Sequence, residues 1–291
     1  MARAGTETSD FGVSKREGHD SSKFYASRLY EGIKIDENQE IIDNSHKIDP
    51  ALFDQLSSLD NANVSKIPDK SIHLVIFTVP SILRSRDIDI KLFIGKIIGQ
   101  ISQLKQKLMI GARLVVIVDD QVDRSISPSG FWPIHAHLAT RIIELGLFMR
   151  GEVILKRETN GKIADQANIS KIHPDTIHIK SMYSHGLIFG NGIPSRIKRN
   201  KKTGSEKTDT ISRDQFLEST KSMWSVNSIV ISLNSTDQKQ ETVNLDYYTR
   251  FLHMYSFQED TIMVILNEND ESVQKEILKL RQRTFFAIFD S

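Results

Sequence analysis

The sequence predicts an α/β fold, in which a mostly parallel β-sheet is covered by helices on both faces. Strand-like and helix-like segments alternate along the chain, and the strand-like segments are near-continuous apolar runs. Strands of that composition are buried on both sides, which is typical of parallel sheets flanked by helices. The chain has 291 residues, of which 39% are hydrophobic. That length is enough to bury a full hydrophobic core.

The first half of the chain contains two rounds of this alternation. Apolar runs predict strands at residues 71–77, 113–118, 148–156 and 186–189. Helical spacing of apolar residues predicts helices at 90–108 and 135–146, which we expect Gly111 and Gly146 to stop. Residues 157–180 are polar and are expected to be irregular.

The second half repeats the pattern after a polar insert. A helix is expected to begin at Ser212, acting as N-cap, followed by a helix at 247–255. A strand at 261–266, a helix at 271–280 and a strand at 284–289 complete the fold. We predict a polar arm at 1–45 and one domain at 46–291. The domain divides into halves at 60–190 and 211–291, separated by a basic insert at 194–210.

Composition excludes several classes of protein. The chain has no cysteine, so it can form neither disulfides nor thiolate zinc sites. No stretch is long and apolar enough for a membrane span, and the N-terminus lacks the apolar region of a signal peptide. We therefore expect a cytoplasmic protein with no membrane partner. Lys and Arg number 38 against 37 Asp and Glu, so any nucleic-acid surface must be local.

Several stretches, in order and covering nearly the whole chain, carry a resemblance to a known family. They comprise residues 15–30, 67–81, 111–152, 213–224, 255–260 and 283–288. In this order they resemble the permuted DNA methyltransferases that methylate adenine N6 or cytosine N4. The resemblance implies a Rossmann-like methyltransferase fold, S-adenosylmethionine as cofactor and DNA as partner. It also implies a microbial protein, associated with the nucleoid if it binds DNA.

The resemblance places a catalytic loop at residues 78–81. The family has a polar residue, two prolines and an aromatic residue there, which hold the amine of an extruded base and stack on the base. This chain has Thr78, Val79, Pro80 and Ser81. Thr78 can still accept a hydrogen bond and Pro80 keeps part of the stiffness. Val79 replaces one proline, and Ser81 forfeits about 1–3 kcal/mol of base stacking.

The resemblance places the cofactor turn at residues 264–270, and here the residues oppose binding. The family has a glycine-rich turn that lets the backbone approach the cofactor, but this chain has none. Glu268 and Asp270 instead put carboxylates where the cofactor's own carboxylate would lie. The acidic residue that should hold the ribose falls on Phe289 or, with a slip of one residue, on Asp290.

A basic run gives the strongest nucleic-acid signal. It consists of Arg196, Lys198, Arg199, Lys201 and Lys202, where the family places target-contacting inserts. We expect it to contact DNA phosphates, the alternative being a solubilising loop.

The remaining histidines, aspartates and tryptophans of interest are expected to have structural rather than functional roles. His135 and His137 lie near a predicted helix start, but they do not face each other and no carboxylate lies at ligand spacing, so no metal site is expected. Asp119 and Asp120, just past a strand end, are expected to belong to a solvated loop. Trp132 and Trp224 are interpreted as core or interface residues rather than as base-stacking residues.

Three functions remain open from the sequence. The favoured one is a methyltransferase-like protein that has lost catalysis and acts as a DNA- or partner-binding subunit. Its partner would be a second copy or an intact methyltransferase, contacted through residues 90–150 or through Phe24, Tyr25 and Tyr30 of the arm. The second is an active S-adenosylmethionine-dependent DNA amino-methyltransferase with divergent motifs. The third is an unrelated binding role on the same fold.

Overall fold

A computed structural model describes most of the predicted domain. The described residues are 43–53, 56–80, 89–123, 130–159, 162–163, 183–192, 213–227, 245–267 and 269–289. The six α-helices among them are α1 (Asn61–Ser65), α2 (Ile90–Lys107), α3 (Ile134–Glu144), α4 (Arg213–Ser219), α5 (Leu245–Tyr255) and α6 (Glu271–Leu280). Two 3₁₀ helices, Ser45–Lys47 and Pro50–Leu52, precede them.

Eleven strands accompany these helices in the described part of the chain. They are β1 (Leu56–Ser58), β2 (Ile72–Thr78), β3 (Leu108–Val118), β4 (Gln121–Asp123), β5 (Gly130–Trp132), β6 (Phe148–Thr159), β7 (Lys162–Ile163), β8 (Tyr183–Gly190), β9 (Met223–Asn227), β10 (Ile262–Leu266) and β11 (Thr284–Ile288). Nine of them form one sheet, and β4 and β5 form a separate antiparallel pair.

The main sheet is mostly parallel, as the sequence predicted. Its order is β1-β11-β10-β2-β3-β8-β6-β7, with β9 also paired to β6. The five strands from β1 to β3 run in one direction, and β6 and β9 share that direction. Strand β8 is antiparallel to both β3 and β6, and β7 is antiparallel to β6.

Helices cover both faces of the sheet, and each face has its own core. On one face, α2 and α3 pack through residues such as Ile97, Ile101 and Leu138, which are fully buried. On the other face, α5 and α6 pack through Phe251 and Ile277. Such a two-sided core explains why the central strands are unbroken apolar runs in the sequence.

Several predicted boundaries need correction. The segment 157–180 is not irregular throughout, because β6 continues to Thr159 and pairs with β7. The helix expected to run to residue 108 ends at Lys107, and β3 begins directly at Leu108. Gly111 therefore lies inside a strand, where its φ of 93° marks an irregularity that glycine tolerates. Strand β9 had no counterpart in the sequence-based prediction.

No helix in the described part of the chain is both long and apolar enough to cross a membrane. The proposed residues of the arm, Phe24, Tyr25 and Tyr30, lie outside the described residues.

Candidate functional site

The sheet reverses its winding between β10 and β2. From β2 the chain passes through α2 to β3 on one side, and from β10 it passes through α6 to β11 on the other. These two helices pack on opposite faces. Open α/β sheets bind ligands beyond the carboxyl ends of strands at such a switch point. The crevice beyond Thr78 and Leu266 is therefore the candidate ligand site.

A tyrosine from the second half of the chain holds the side chain at the end of β2. Thr78 Oγ1 lies 2.6 Å from Tyr248 Oη, and either hydroxyl can donate the hydrogen bond. Helix α5 presents Tyr248 to this position, where its side chain is only 2% exposed. The hydroxyl that the resemblance assigned to the catalytic position is thus already bonded to a buried partner.

The environment of Tyr248 connects the two predicted halves. Burial raises the pKa of Tyr248 to about 12, while the Thr78 hydrogen bond acts in the opposite direction and the Asp270 carboxylate adds to the increase. Tyr248 therefore stays neutral at physiological pH. Tyr248 contacts Thr78, and its pKa is raised by the charge of Asp270. The loop after β2 and the turn after β10 therefore meet at one crevice.

The residues after Thr78 show why the loop differs from the family pattern. Val79 is 7% exposed and belongs to the core on the α2 face. Its amide donates to the carbonyl of Ile117 on β3 at 2.8 Å. A proline at this position could not donate that bond. Pro80 is half-buried, and Ser81 lies outside the described residues.

The turn after β10 ends in a self-capped helix. Asp270 Oδ1 accepts hydrogen bonds from the amides of Ser272 and Val273, at 3.0 and 3.2 Å, and from the Ser272 hydroxyl at 2.6 Å. Amides at a helix N-terminus are ready-made anion ligands. In α6 the protein's own carboxylate already occupies these donors. Glu268, the other predicted carboxylate, lies outside the described residues.

A second polar cluster lies past the end of β3. His135 Nδ1 lies 2.6 Å from Asp120 Oδ2, and the His135 amide donates to Asp120 Oδ1 at 3.0 Å. The His185 ring, from β8, stacks on the His135 ring with centroids 3.8 Å apart and an interplanar angle of 4°. On its other edge, His185 Nδ1 lies 2.5 Å from Glu152 Oε1 on β6.

The contacts of the cluster favour the charged forms of His185 and Asp120. Burial opposes the charged form of His185, but Asp120 and Glu152 outweigh it and raise its pKa. Burial likewise works to raise the pKa of Asp120, yet its contacts with His185 and His135 bring that pKa below the usual value. Two carboxylates around one buried imidazole thus make a local cation site.

The structure corrects two interpretations of these residues. Asp120 is not part of a solvated loop, because it is 9% exposed and bonded to His135. His135 also has a carboxylate beside it, contrary to the expectation from its sequence spacing, because the fold brings Asp120 to it from 15 positions away. His137 is exposed and does not join the cluster. The sequence offered no signal for His185, which lies 50 residues beyond His135 and on a different element.

The remaining predicted site residues belong to the ribose-binding position and to the basic run. Asp290 and the basic run of Arg196, Lys198, Arg199, Lys201 and Lys202 lie outside the described residues. Phe289, the other candidate for the ribose-binding position, is described, and its side chain is 3% exposed. Its ring packs edge-on against Phe77 and Phe93, with centroids 5.7 and 6.1 Å away. Phe289 is therefore a core residue.

Solved structures with the same architecture exist for DNA-modifying enzymes. A protein from Thermus thermophilus assigned as a DNA modification methylase, complexed with S-adenosyl-L-methionine, matches with a TM-score of 0.58 and 16% identity over 80% of this chain and 86% of that one. The cytosine-N4-specific PvuII DNA methyltransferase matches with a TM-score of 0.57 and 12% identity, covering 81% of this chain and 80% of that one. The chain has a Rossmann-like methyltransferase fold.

Comparison of the amino-acid sequence does not refine the assignment made from the fold. No family model matches the chain, and no curated protein matches it either. At 12–16% identity, the structural similarity establishes the fold alone. The chemistry of the chain has to be inferred from the residues of the crevice.

Proposed function

We propose that this chain is a catalytically inactive relative of the permuted DNA amino-methyltransferases that acts as a DNA- or partner-binding subunit. The observation that carries the proposal is the turn after β10. It contains no glycine, and Asp270 already bonds the free amides of α6.

The cofactor fits this turn poorly for two physical reasons. The backbone between Leu266 and Asp270 carries a side chain at every position, so it cannot approach a ligand as closely as glycine allows. An anionic carboxylate entering at α6 would also meet the Asp270 carboxylate, which repels it. Displacing Asp270 would remove a helix cap worth about 1 kcal/mol. These features argue against S-adenosylmethionine as a cofactor of this chain.

The catalytic position also departs from what amine methylation needs. Methylation of an exocyclic amine needs acceptors around the extruded base that take hydrogen bonds from the amine, and one proton leaves the nitrogen as the methyl group is added. The Thr78 hydroxyl, the acceptor that this chain offers, is shared with Tyr248 at 2.6 Å. Val79 turns its side chain into the core and its amide towards β3. Thr78 Oγ1 keeps at least one lone pair beside the Tyr248 bond, so it is the Val79 contact that base methylation would require to be rearranged.

We expect the purified chain to show no measurable binding of S-adenosylmethionine in isothermal titration calorimetry. The reason is the self-capped, glycine-free turn described above. The Thermus thermophilus methylase, which was crystallised with this cofactor, is the positive control under identical conditions. Micromolar binding, about −8 kcal/mol, would contradict the proposal.

One observation favours the alternative of an active enzyme with divergent motifs. Thr78 retains a hydroxyl at the carboxyl end of β2, beside the end of β10. Transfer of a labelled methyl group from S-adenosylmethionine to DNA, abolished in Thr78→Val, would establish this alternative.

DNA binding by the proposed subunit would depend on the basic run. Replacing Arg196, Lys198, Arg199, Lys201 and Lys202 with alanine should weaken DNA binding and flatten its dependence on salt. If each residue neutralises one phosphate, the slope of log K against log salt should fall by roughly 4–5. Affinity for duplex DNA is measured by fluorescence anisotropy at several salt concentrations.

A charge-matched control separates contact from general attraction. Five exposed lysines are replaced with alanine in the same way: Lys66, Lys91, Lys96, Lys275 and Lys279. We expect this variant to keep a slope close to that of the unmodified chain. Equal slopes for both variants would remove the basic run from the DNA contact.

The partner that we propose is a second copy of this chain or an intact methyltransferase. The aromatic residues Phe24, Tyr25 and Tyr30 in an otherwise polar arm need an apolar surface to cover them. We place the assembly in the cytoplasm, on DNA.

A further inference from the structure

The cluster of Asp120, His135 and His185 follows the carboxyl end of β3, one strand away from Thr78 on β2, and shares no residue with the crevice to which the proposed function refers. Its donor atoms all lie within 4.8 Å of one another. They come from the residues after β3, from the first turn of α3 and from β8, so the cluster fastens three elements together. Among the described residues, this is the group of imidazoles and acids with the spacing of metal ligands.

The tautomer of His185 leaves a buried lone pair facing an acid. Because Glu152 is a carboxylate, the short contact at His185 Nδ1 requires that nitrogen to carry the proton. In the neutral ring, Nε2 is then an acceptor, and it lies 3.5 Å from Asp120 Oδ2. Nε2 is buried and makes no hydrogen bond to any described residue. An acceptor and a carboxylate that face each other in a buried site are stabilised by a cation between them.

We propose that Asp120, His135 and His185 bind a divalent transition-metal ion of the zinc class. Two imidazoles and one carboxylate are the donors that zinc and its neighbours prefer, whereas magnesium and calcium take oxygen ligands. Glu152 serves as the positioning residue, since a carboxylate on the outer nitrogen of a metal-binding histidine fixes its tautomer and raises its basicity.

The distances require a small local adjustment. Zinc–ligand bonds of about 2.0–2.1 Å place tetrahedral donors roughly 3.3 Å apart. The approach of His185 Nε2 to Asp120 Oδ2, at 3.5 Å, already meets this spacing. His135 Nδ1, at 2.6 Å, has to withdraw and turn out of its parallel stack. Its side chain is 27% exposed, which gives it room to move.

The proposal is independent of methyl transfer and is tested without it. The untagged full-length chain, stripped of metal with a chelator, is titrated with Co²⁺ and then with Zn²⁺. We expect one ion per chain, visible Co²⁺ absorption of a nitrogen- and oxygen-ligated site, its loss when Zn²⁺ is added, and a higher melting temperature with either ion.

Four single variants distinguish this site from the other histidines of the chain. His135→Gln and His185→Gln should lower the affinity at least about 100-fold. Glu152→Gln should lower it by roughly 10–100-fold and change the Co²⁺ spectrum. His137→Gln, which alters an exposed histidine two residues from His135, should bind as the unmodified chain does.

Two results would overturn the proposal. One is the absence of stoichiometric binding to the unmodified chain, which would leave a proton as the cation shared by His185 and Asp120. The other is equal affinity in Glu152→Gln, His135→Gln and His137→Gln. Glu152 and His135 are partly exposed, so these variants keep the test valid even if His185→Gln fails to fold.

Discussion

Replacing Trp224 with alanine is expected to reduce the free energy of unfolding by about 3–5 kcal/mol. Trp224 is fully buried and packs on Phe251 of α5, with ring centroids 4.8 Å apart. Its Nε1 donates to the carbonyl of Lys221 at 2.9 Å. Removing the ring therefore leaves a large cavity between β9 and α5. Urea unfolding followed by far-ultraviolet circular dichroism measures the change.

The neighbouring residue provides a matched control. Met223 precedes Trp224 on the same strand, but its side chain is 56% exposed. Met223→Ala should change the stability by no more than about 0.5 kcal/mol. A loss below about 1.5 kcal/mol in Trp224→Ala would mean that β9 is not part of the core and would reopen Trp224 as a residue for binding a ligand.

The second large effect is a loss of stability at high pH that depends on Tyr248. Burial raises the pKa of Tyr248 from 10.0 to about 12 in the folded chain. Between pH 10 and 12 the unfolded chain releases this proton while the folded chain retains it. The stability that Tyr248 contributes is therefore complete below pH 10 and is lost as the pH rises towards 12. A pKa difference of about 2 between the folded and the unfolded chain corresponds to about 2–3 kcal/mol of stability.

Tyr248→Phe removes the ionisable group and should make the pH profile shallower by that amount. Urea unfolding at about pH 8, 10 and 12, a range that includes both pKa values, gives the profile for each protein. Tyr183→Phe, which changes a tyrosine that is 42% exposed, should retain the unmodified profile. If Tyr248→Phe also has the pH profile of the unmodified chain, the Tyr248 hydroxyl is accessible to solvent and its hydrogen bond to Thr78 is not formed.

Most of the sheet could be predicted from the sequence because its central strands are buried on both faces. Strands β2, β10 and β11 and helices α2 and α6 follow from apolar runs and helical spacing. Strand β9 was missed because only Trp224 and Val226 continue its apolar pattern after Met223, which is too short to distinguish from a loop. The end of β6 was missed because its last residues are charged or polar.

The candidate site was less predictable, since its contacts join distant residues. The resemblance pointed to Thr78 and to the turn at Asp270, but not to Tyr248, because a tyrosine within an amphipathic helix has the pattern of an ordinary core residue. Asp120, His135 and His185 have no regular spacing, so no local pattern could reveal that they converge. Their contacts depend on the antiparallel insertion of β8 beside β3, which brings His185 opposite Val118.

The pairing of β2 with β10 has a consequence for synthesis on the ribosome. These neighbours are far apart in sequence, as the hydrogen bond between Thr261 and His73 spans 188 positions. At roughly 5–20 residues per second, β10 emerges about 10–40 s after β2. Throughout that interval β2 has an open edge of unpaired amides and carbonyls, with an apolar face on either side. Nascent chains stalled before residue 262 should therefore recruit chaperones, and completed chains should release them.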